Sequence, residues 1–370
     1  MSVPFIELKR FEDGFLDSWN AKVADLSANT RFIGGPEVEN IENTLKTECG
    51  VSHAIGCANG TDALQLALRA AGVSKGDSVL VPDLTFWATF EAVVNVGADP
   101  ITVDVSAEDL QLDFDLFCKA CEEHKPKAAI LVHLYGWGSS RLKDFRDFAK
   151  SKGIALIEDG AQAYGVTYNG KSIYEGAQLA TISFYPAKVF GAAGDAGAVL
   201  TSDDDLAHKV RSLENHGRTT HYSYGLVGWN SRMDTFQAAY LNLSHPHLAA
   251  RLESRRKSAE YYRKALANLP IRVVEAPEGY TENGYLNVLI VDQEKRPALE
   301  ALLKEKGIGF GIVYPGPMSS QEASPGYLKA KVGGENAERI CKSVLNLPLF
   351  PYMQEHELQE VVEAVKGFFA

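Results

Sequence analysis

The chain has 370 residues, 45% of them hydrophobic and 23% charged, with 37 basic against 48 acidic side chains and a net charge of −11. That length exceeds the ~250–300 residues at which a single hydrophobic core stops growing, so two domains are expected, and dispersed basic residues in an acidic chain argue against nucleic acid or an anionic membrane as partner. Residues 1–8 lack the basic start and apolar stretch of a secretory signal, no apolar run is long enough to span a bilayer, and five scattered cysteines fit reduced thiols; a cytoplasmic protein is expected.

Short β-branched apolar runs recur at 52–58, 78–82, 100–105, 128–135, 154–158, 179–185 and 197–201, mostly separated by stretches of helical spacing. They predict an α/β fold with a mainly parallel, seven-stranded sheet. The first run ends at Asn59-Gly60-Thr61-Asp62, ahead of the helical stretch 63–68. Free backbone N–H groups and the macrodipole at such a helix start suit a phosphate, with Gly60 allowing close approach and Thr61 adding a hydroxyl; a plain helix cap explains the same residues. Phe86 follows the second strand and is either a stacking face for a ring or a core aromatic. Cys118, Cys121 and His124 share helical spacing and lack a further ligand pair, so no metal site is expected there or at His245-Pro246-His247. His133, near the end of the fourth run, reads equally as a substrate contact or as a satisfied histidine at a strand end.

Asp159 ends the fifth run, where ligands bind in open α/β sheets, and a carboxylate there can hold a protonated pyridine ring; Glu158 should point the other way. Gln162, one turn on, can reach a ring hydroxyl. Gly165 to Ser172 matches the phosphate-loop spacing G-x-x-x-x-G-K-S, but Asn169-Gly170 between alternating Tyr164, Val166, Tyr168 and Ile173 predicts a hairpin turn instead. No G-x-G-x-x-G follows a predicted strand, which leaves a nicotinamide cofactor without its fingerprint. Ser183 offers a further hydroxyl to the phosphate. Lys188 lies in Ser183-Phe184-Tyr185-Pro186-Ala187-Lys188, followed by glycines at 191, 194 and 197, and reads as a lysine that forms a Schiff base with an aldehyde cofactor. From 244–246 onward the texture changes: a charged helix over 247–268, strands at 285–291 and 309–314, and helices at 296–306 and 355–368 predict a second α+β domain.

Taken together, from about Phe32 to Pro351, these motifs resemble the sugar aminotransferases of the DegT/DnrJ/EryC1/StrS family. The resemblance implies a fold type I aminotransferase with a large pyridoxal 5′-phosphate domain at 1–245 and a small C-terminal domain at 246–370. It implies Lys188 as the Schiff-base lysine, Asp159 at the ring nitrogen, Gln162 at the ring hydroxyl, Phe86 stacked on the ring, and Gly60, Thr61 and Ser183 around the phosphate. Asn230 matches a residue that reaches the phosphate of a neighbouring subunit, so a homodimer with shared active sites is implied. His133, Tyr135, Arg232 and Tyr314 are candidate contacts to the sugar or its diphosphate. The implied reaction moves an amino group from L-glutamate, leaving 2-oxoglutarate, to a UDP- or dTDP-linked keto-sugar for surface-polysaccharide or related aminosugar synthesis. The motif form around Lys188 is more like the 3-keto than the 4-keto branch. Relatives that act as dehydratases carry histidine in place of the lysine, and a non-catalytic binding or regulatory protein on the same fold is the remaining alternative. One departure stands out: Val313 precedes Tyr314-Pro315 where many relatives have histidine.

Overall fold

In the computed structural model, which describes residues 2–370, α1 (Phe15–Ala28) and α2 (Pro36–Cys49) precede an alternating α/β segment. It comprises β1 (His53–Cys57), α3 (Gly60–Ala70), β2 (Ser78–Pro82), α4 (Trp87–Asn95), β3 (Asp99–Val103), α5 (Phe114–His124), β4 (Ala128–Val132), α6 (Leu142–Lys152) and β5 (Ala155–Asp159). A hairpin of β6 (Thr167–Tyr168) and β7 (Lys171–Ser172) follows, then β8 (Leu179–Ser183), β9 (Gly197–Thr201) and α7 (Asp204–Leu213). A second hairpin, β10 (Arg218–Thr220) with β11 (Ser223–Tyr224), leads to the long helix α8 (Thr235–Leu266). The rest holds β12 (Arg272–Val273), β13 (Tyr280–Thr281), β14 (Asn287–Ile290), α9 (Arg296–Glu305), β15 (Ala330–Val332), α10 (Glu335–Ser343), β16 (Val344–Leu347) and α11 (Glu355–Phe369).

The large sheet has eight strands in the order β1-β9-β8-β5-β4-β2-β3-β15, and only β9 runs antiparallel to its neighbours. Strands β2, β4 and β9 are buried along their whole length because helices cover both faces, which is why they read as unbroken apolar runs. Alternation divides each strand between two cores. Ala129 and Leu131 of β4 pack with α5 and α6 on one face, Ile130 and Val132 with α3 and α4 on the other. Side-chain caps fix the helix starts: Asn59, Asp113 and Asp203 accept the backbone N–H groups of Asp62, Leu116 and Leu206 at 2.7, 2.9 and 2.9 Å. A third core joins the far half of α8 to β14, β16, α9 and α11 through Tyr262, Leu266, Leu289, Leu299 and Val361.

The seven expected strands are all present, and the phosphate-loop lookalike is the hairpin β6–β7, with Asn169 and Gly170 at φ 50° and 77° in its turn. Three expectations need correction. The sheet gains an eighth strand, β15, from the C-terminal part of the chain, pairing Ala330–Val332 with Ile101–Val103; three residues are too few to carry a period. No strand forms at 309–314: Gly309 and Gly311 lie against the backbone of Phe5 and its ring, and Tyr314 at φ 70° ends any extended run. The helix expected from 247 begins at Thr235, so the division expected at 245/246 falls inside it, with Pro246 in its interior. A proline accepted readily in a first turn reads as a helix start, and here the surrounding cores override that preference.

Residues 2–12 run along the third core, where Glu12 binds Arg251 of α8 at 2.6 and 2.8 Å and the Tyr352 hydroxyl at 2.6 Å. Burial pushes the Glu12 carboxyl up, but the bonds from Arg251 and Tyr352 outweigh it and hold it at about 2. A depressed carboxylate stabilises the fold above its ordinary pKa of 4.5 and loses that contribution as pH falls toward 2. Glu12→Gln is therefore expected to lower the denaturation midpoint at pH 7 and to flatten its dependence between pH 4.5 and 2; urea melts across that range measure it.

Candidate active site

The carboxyl ends of the parallel strands converge on a cleft of about 960 Å³ lined by Asn59, Phe86, Asp159, Ser183, Lys188 and Tyr314, among others. The turn after β1 forms its base. With Asn59 capping α3 through Asp62, the N–H groups of Gly60 and Thr61 stand at the helix start with no intrahelical acceptor. Two close approaches shape this turn: a Cβ on Gly60 would lie 2.7 Å from the Ser183 Cβ, and one on Gly197 would lie 2.4 Å from the Asn59 carbonyl oxygen. The result is a small concave cradle of backbone donors bordered by the hydroxyls of Thr61 and Ser183.

Across the cleft, Asp159 is buried at the end of β5. Its Oδ1 accepts the Ala161 N–H at 3.0 Å and its Oδ2 accepts the Thr89 hydroxyl at 3.3 Å. Burial pushes this carboxyl above its usual range, against the Ala161 N–H and the nearby Lys188 charge, which pull it down. Glu158 faces the opposite side of the sheet. There it is fully buried in an ion pair with Arg146 at 2.7 and 2.8 Å and takes His133 Nε2 at 2.9 Å; these partners overcome the burial that pushes it up. Gln162 is held at both ends: its Oε1 accepts the Tyr135 N–H and its Nε2 donates to the Tyr314 hydroxyl, each at 2.6 Å. Phe86, at the start of α4, keeps 61% of its surface exposed at the cleft, unlike a core aromatic. Lys188 sits in a tight turn, its N–H bonded to the Tyr185 carbonyl at 2.8 Å, and its Nζ donates to the Tyr285 hydroxyl at 3.3 Å.

The structure thus brings Gly60, Thr61, Phe86, Asp159, Gln162, Ser183, Lys188 and Tyr314 to one cleft. Four candidates lie elsewhere. His133 is fully buried on the far side of the sheet, its Nε2 against Glu158 and its Nδ1 without a partner among the described residues, which places it as a strand-end histidine away from the cleft rather than as a substrate contact. Tyr135 is fully buried beneath the cleft, its ring 6.1 Å from that of Tyr314, so its backbone rather than its ring serves the site. Asn230 and Arg232 lie outside the cleft of their own chain, the guanidinium binding Asn230 Oδ1 at 2.5 Å and Asn215 Oδ1 at 2.8 Å. Lining residues that the sequence did not single out are Trp87, Tyr185, Tyr285, Met318 and Gln321. Tyr285 carried a signal of sorts, since it follows Asn283-Gly284, a turn pair at the head of a strand.

A family model for the DegT/DnrJ/EryC1/StrS aminotransferase family matches residues 17–366. The chain belongs to that family. Among its curated relatives, a pleiotropic regulatory protein of Geobacillus stearothermophilus is 36% identical over 100% of this chain and 99% of its own length. A UDP-N-acetyl-3-dehydro-alpha-D-glucosamine 3-aminotransferase of Acidithiobacillus ferrooxidans is 35% identical over 99% of this chain and 97% of its own. The crystal structure of Streptomyces venezuelae DesV with a ketimine intermediate superposes with a TM-score of 0.93 at 35% identity, covering 99% of this chain and 98% of that one. As a family member the chain is a transaminase of the fold type I class, and its cofactor is pyridoxal phosphate. The residues fit that group: a cradle of free N–H donors for the phosphate, an exposed aromatic face, and a buried carboxylate otherwise lacking a cationic partner, set opposite a lysine. No helix among the described residues is long and apolar enough to cross a membrane.

Because the folded state raises the Asp159 pKa, it favours the protonated carboxyl, and stability falls as pH rises above the ordinary value of 3.8. Asp159→Asn removes that burden from the cofactor-free protein while removing the buried carboxyl that faces Lys188 across the cleft. The apo variant is expected to melt above the apo parent at pH 7, whereas the loaded variant is expected to lose about 10²–10³-fold in its reaction with an amino donor, the scale for one electrostatic group in a dry site. Calorimetry of the apo proteins and stopped-flow absorbance of the loaded ones test the two halves.

Proposed function

We propose that this transaminase moves an amino group from L-glutamate to the keto group of a nucleotide-linked hexose, with the keto group at C3 and UDP or dTDP as the nucleotide. The observation that carries the reading is the placement of Lys188, whose Nζ enters a cleft wide enough for a cofactor and the sugar end of a nucleotide-sugar, opposite a buried carboxylate. The C3 assignment is supported by the motif form around Lys188 and by the name of the Acidithiobacillus relative.

When bound, pyridoxal phosphate supplies an aldehyde that takes up the amino group and a protonated ring that draws electrons from the Cα–H bond. Lys188 would hold the cofactor until the donor amine took its place. Its freed Nζ would then accept the Cα proton of glutamate and give it back to the cofactor side, and a water molecule, whose oxygen becomes the keto oxygen, would release 2-oxoglutarate and leave the amino group behind. With the keto-sugar the same nitrogen moves the proton in reverse. Asp159 would face the ring nitrogen and keep it protonated, and Gln162, fixed by Tyr135 and Tyr314, would offer an amide to the ring hydroxyl. The presence of Lys188, rather than histidine, supports amino transfer over dehydration.

A second copy of the chain completes the site in this reading. Lys188 is the one cation among the lining residues, beside Asp62, Glu91, Asp159 and Asp195, although phosphate, diphosphate and donor carboxylates are all anionic. The hairpin β10–β11 and the turn after it expose Tyr222, Tyr224, Leu226 and Val227, two of them by 80% or more, next to Asn230 and Arg232. An apolar surface of that kind marks an interface, and Asn230 is assigned to the phosphate of the neighbouring subunit.

Incubation with L-glutamate and a UDP- or dTDP-linked 3-keto hexose is expected to yield 2-oxoglutarate and the 3-amino sugar in equal amounts with ping-pong kinetics. A protein that takes up the cofactor but turns over no keto-sugar would point to the regulatory role in the Geobacillus relative's name. Lys188→Ala is expected to lose at least about 10²–10⁴-fold, the range for a missing acid–base group. Mixing Lys188→Ala with Asn230→Ala under subunit exchange should restore activity, since one hybrid site then holds both residues; no restoration would place Asn230 in its own chain's site.

A further inference from the structure

The Nζ of Lys188 makes a single side-chain hydrogen bond among the described residues, to the Tyr285 hydroxyl at 3.3 Å, and lies 5.1 Å from the centroid of the same ring. Tyr285 belongs to 282–285, a segment fixed on two sides. On one side, Asn283 donates to the carbonyls of Gln162 and Tyr164 at 2.8 and 2.9 Å, while its Oδ1 accepts the Tyr285 N–H at 2.9 Å. That ties the segment to the loop carrying Asp159 and Gln162. On the other, three arginines of α8 hold it: Arg255 binds the Gly284 carbonyl at 3.2 Å, Arg256 the Glu282 carbonyl at 2.6 Å, and Arg263 the Glu282 carboxylate.

Arg255 is a costly way to fasten a loop. It is almost fully buried, its bonds go to two backbone carbonyls rather than to a carboxylate, and its Nε has no partner among the described residues. Burial pushes it down to about 10. Gly284 itself stands at φ 66°, and a Cβ there would meet the Arg255 Cβ at 2.7 Å, so the backbone passes the helix as closely as it can before turning Tyr285 toward Lys188. Fold stability alone does not ask for a buried cation at this point.

We infer that Tyr285 is a positioning residue for the proton transfer, its hydroxyl oxygen holding one N–H of the freed Lys188 amine so that the nitrogen lone pair faces the reacting carbons. This rests on the acid–base role proposed for Lys188. A neutral amine has two N–H groups and one lone pair, and fixing one N–H leaves rotation about that bond as the main remaining freedom. When Nζ takes the Cα proton it becomes an ammonium with three N–H groups, keeps its bond to Tyr285, and gives the new proton up to the second carbon. Tyr285 exchanges no proton. The contact to the ring face adds attraction for the ammonium form while the proton is in transit.

Tyr285→Phe keeps the ring and removes the oxygen. Cofactor affinity, followed by the absorbance of the bound cofactor, the melting temperature and the KM for glutamate are each expected to stay within about twofold of the parent. The single-turnover reaction with glutamate is expected to slow by about 10–10²-fold, the scale of a misplaced reacting group, and the isotope effect from α-deuterated glutamate to rise as proton transfer becomes the slow step. A rate within twofold of the parent overturns the inference, and so does a slower rate with an unchanged isotope effect, which marks a structural fault. A parent protein that itself fails to react with glutamate overturns the Lys188 role as well, so the two failures are separable.

Discussion

The site rests on the alternation of side chains along β5. Two adjacent carboxylates end that strand, and the period of two sends them to opposite faces of the sheet. Glu158 turns to the side of α6, where Arg146 and His133 satisfy it completely. Asp159 turns to the cleft, where a main-chain N–H and a threonine hydroxyl hold it without neutralising it. Were both on one face, each would suppress the ionisation of the other, and Arg146 would be drawn to the wrong one. The pairing behind the sheet therefore leaves a carboxyl without a cationic partner of its own in front of it, facing Lys188.

Strain accompanies this arrangement. Tyr135 and Tyr314 both occupy the left-handed backbone region, at φ 65° and 70°, where bulky residues cost on the order of 1–3 kcal/mol each. The amide of Gln162 joins the two, one by its backbone N–H and the other by its hydroxyl. Because the Tyr135 N–H requires an oxygen acceptor, the orientation of that amide is determined, and its nitrogen is presented on the cleft side. A glutamate at 162 would reverse the donor and bury a charge; a leucine would release both tyrosines.

Much of this was legible in the sequence because strand ends are local events. Asn59-Gly60-Thr61, Asp159 and Lys188 each sit just past an apolar run, and in a parallel sheet such positions share one edge. His133 and Tyr135 close the fourth run, yet the structure takes them elsewhere: alternation past Val132 sends His133 to the far face, and Tyr135, beyond the end of β4 and at φ 65°, no longer follows the strand's period. Tyr285 and the arginines of α8 were not legible as a group, since their meeting depends on two segments far apart in the chain. The helix start at Thr235 was hidden by Pro246, whose local preference argues for a boundary that the cores on either side overrule. Strand β15 was too short to show a period at all.

Helix α8 packs its first half against the sheet through Ala238, Leu241, Leu248 and Leu252 and its second half into the third core through Ala259, Tyr262 and Leu266. A rod embedded in both bodies removes the usual hinge between them, because bending it would open two hydrophobic surfaces at once. The cleft wall that the rod does not brace is the stretch from Val313 to Gln321, which has no regular structure beyond a single 3₁₀ turn and is held instead by side-chain bonds between Tyr314 and Gln162 and between Ser319 and Asp83.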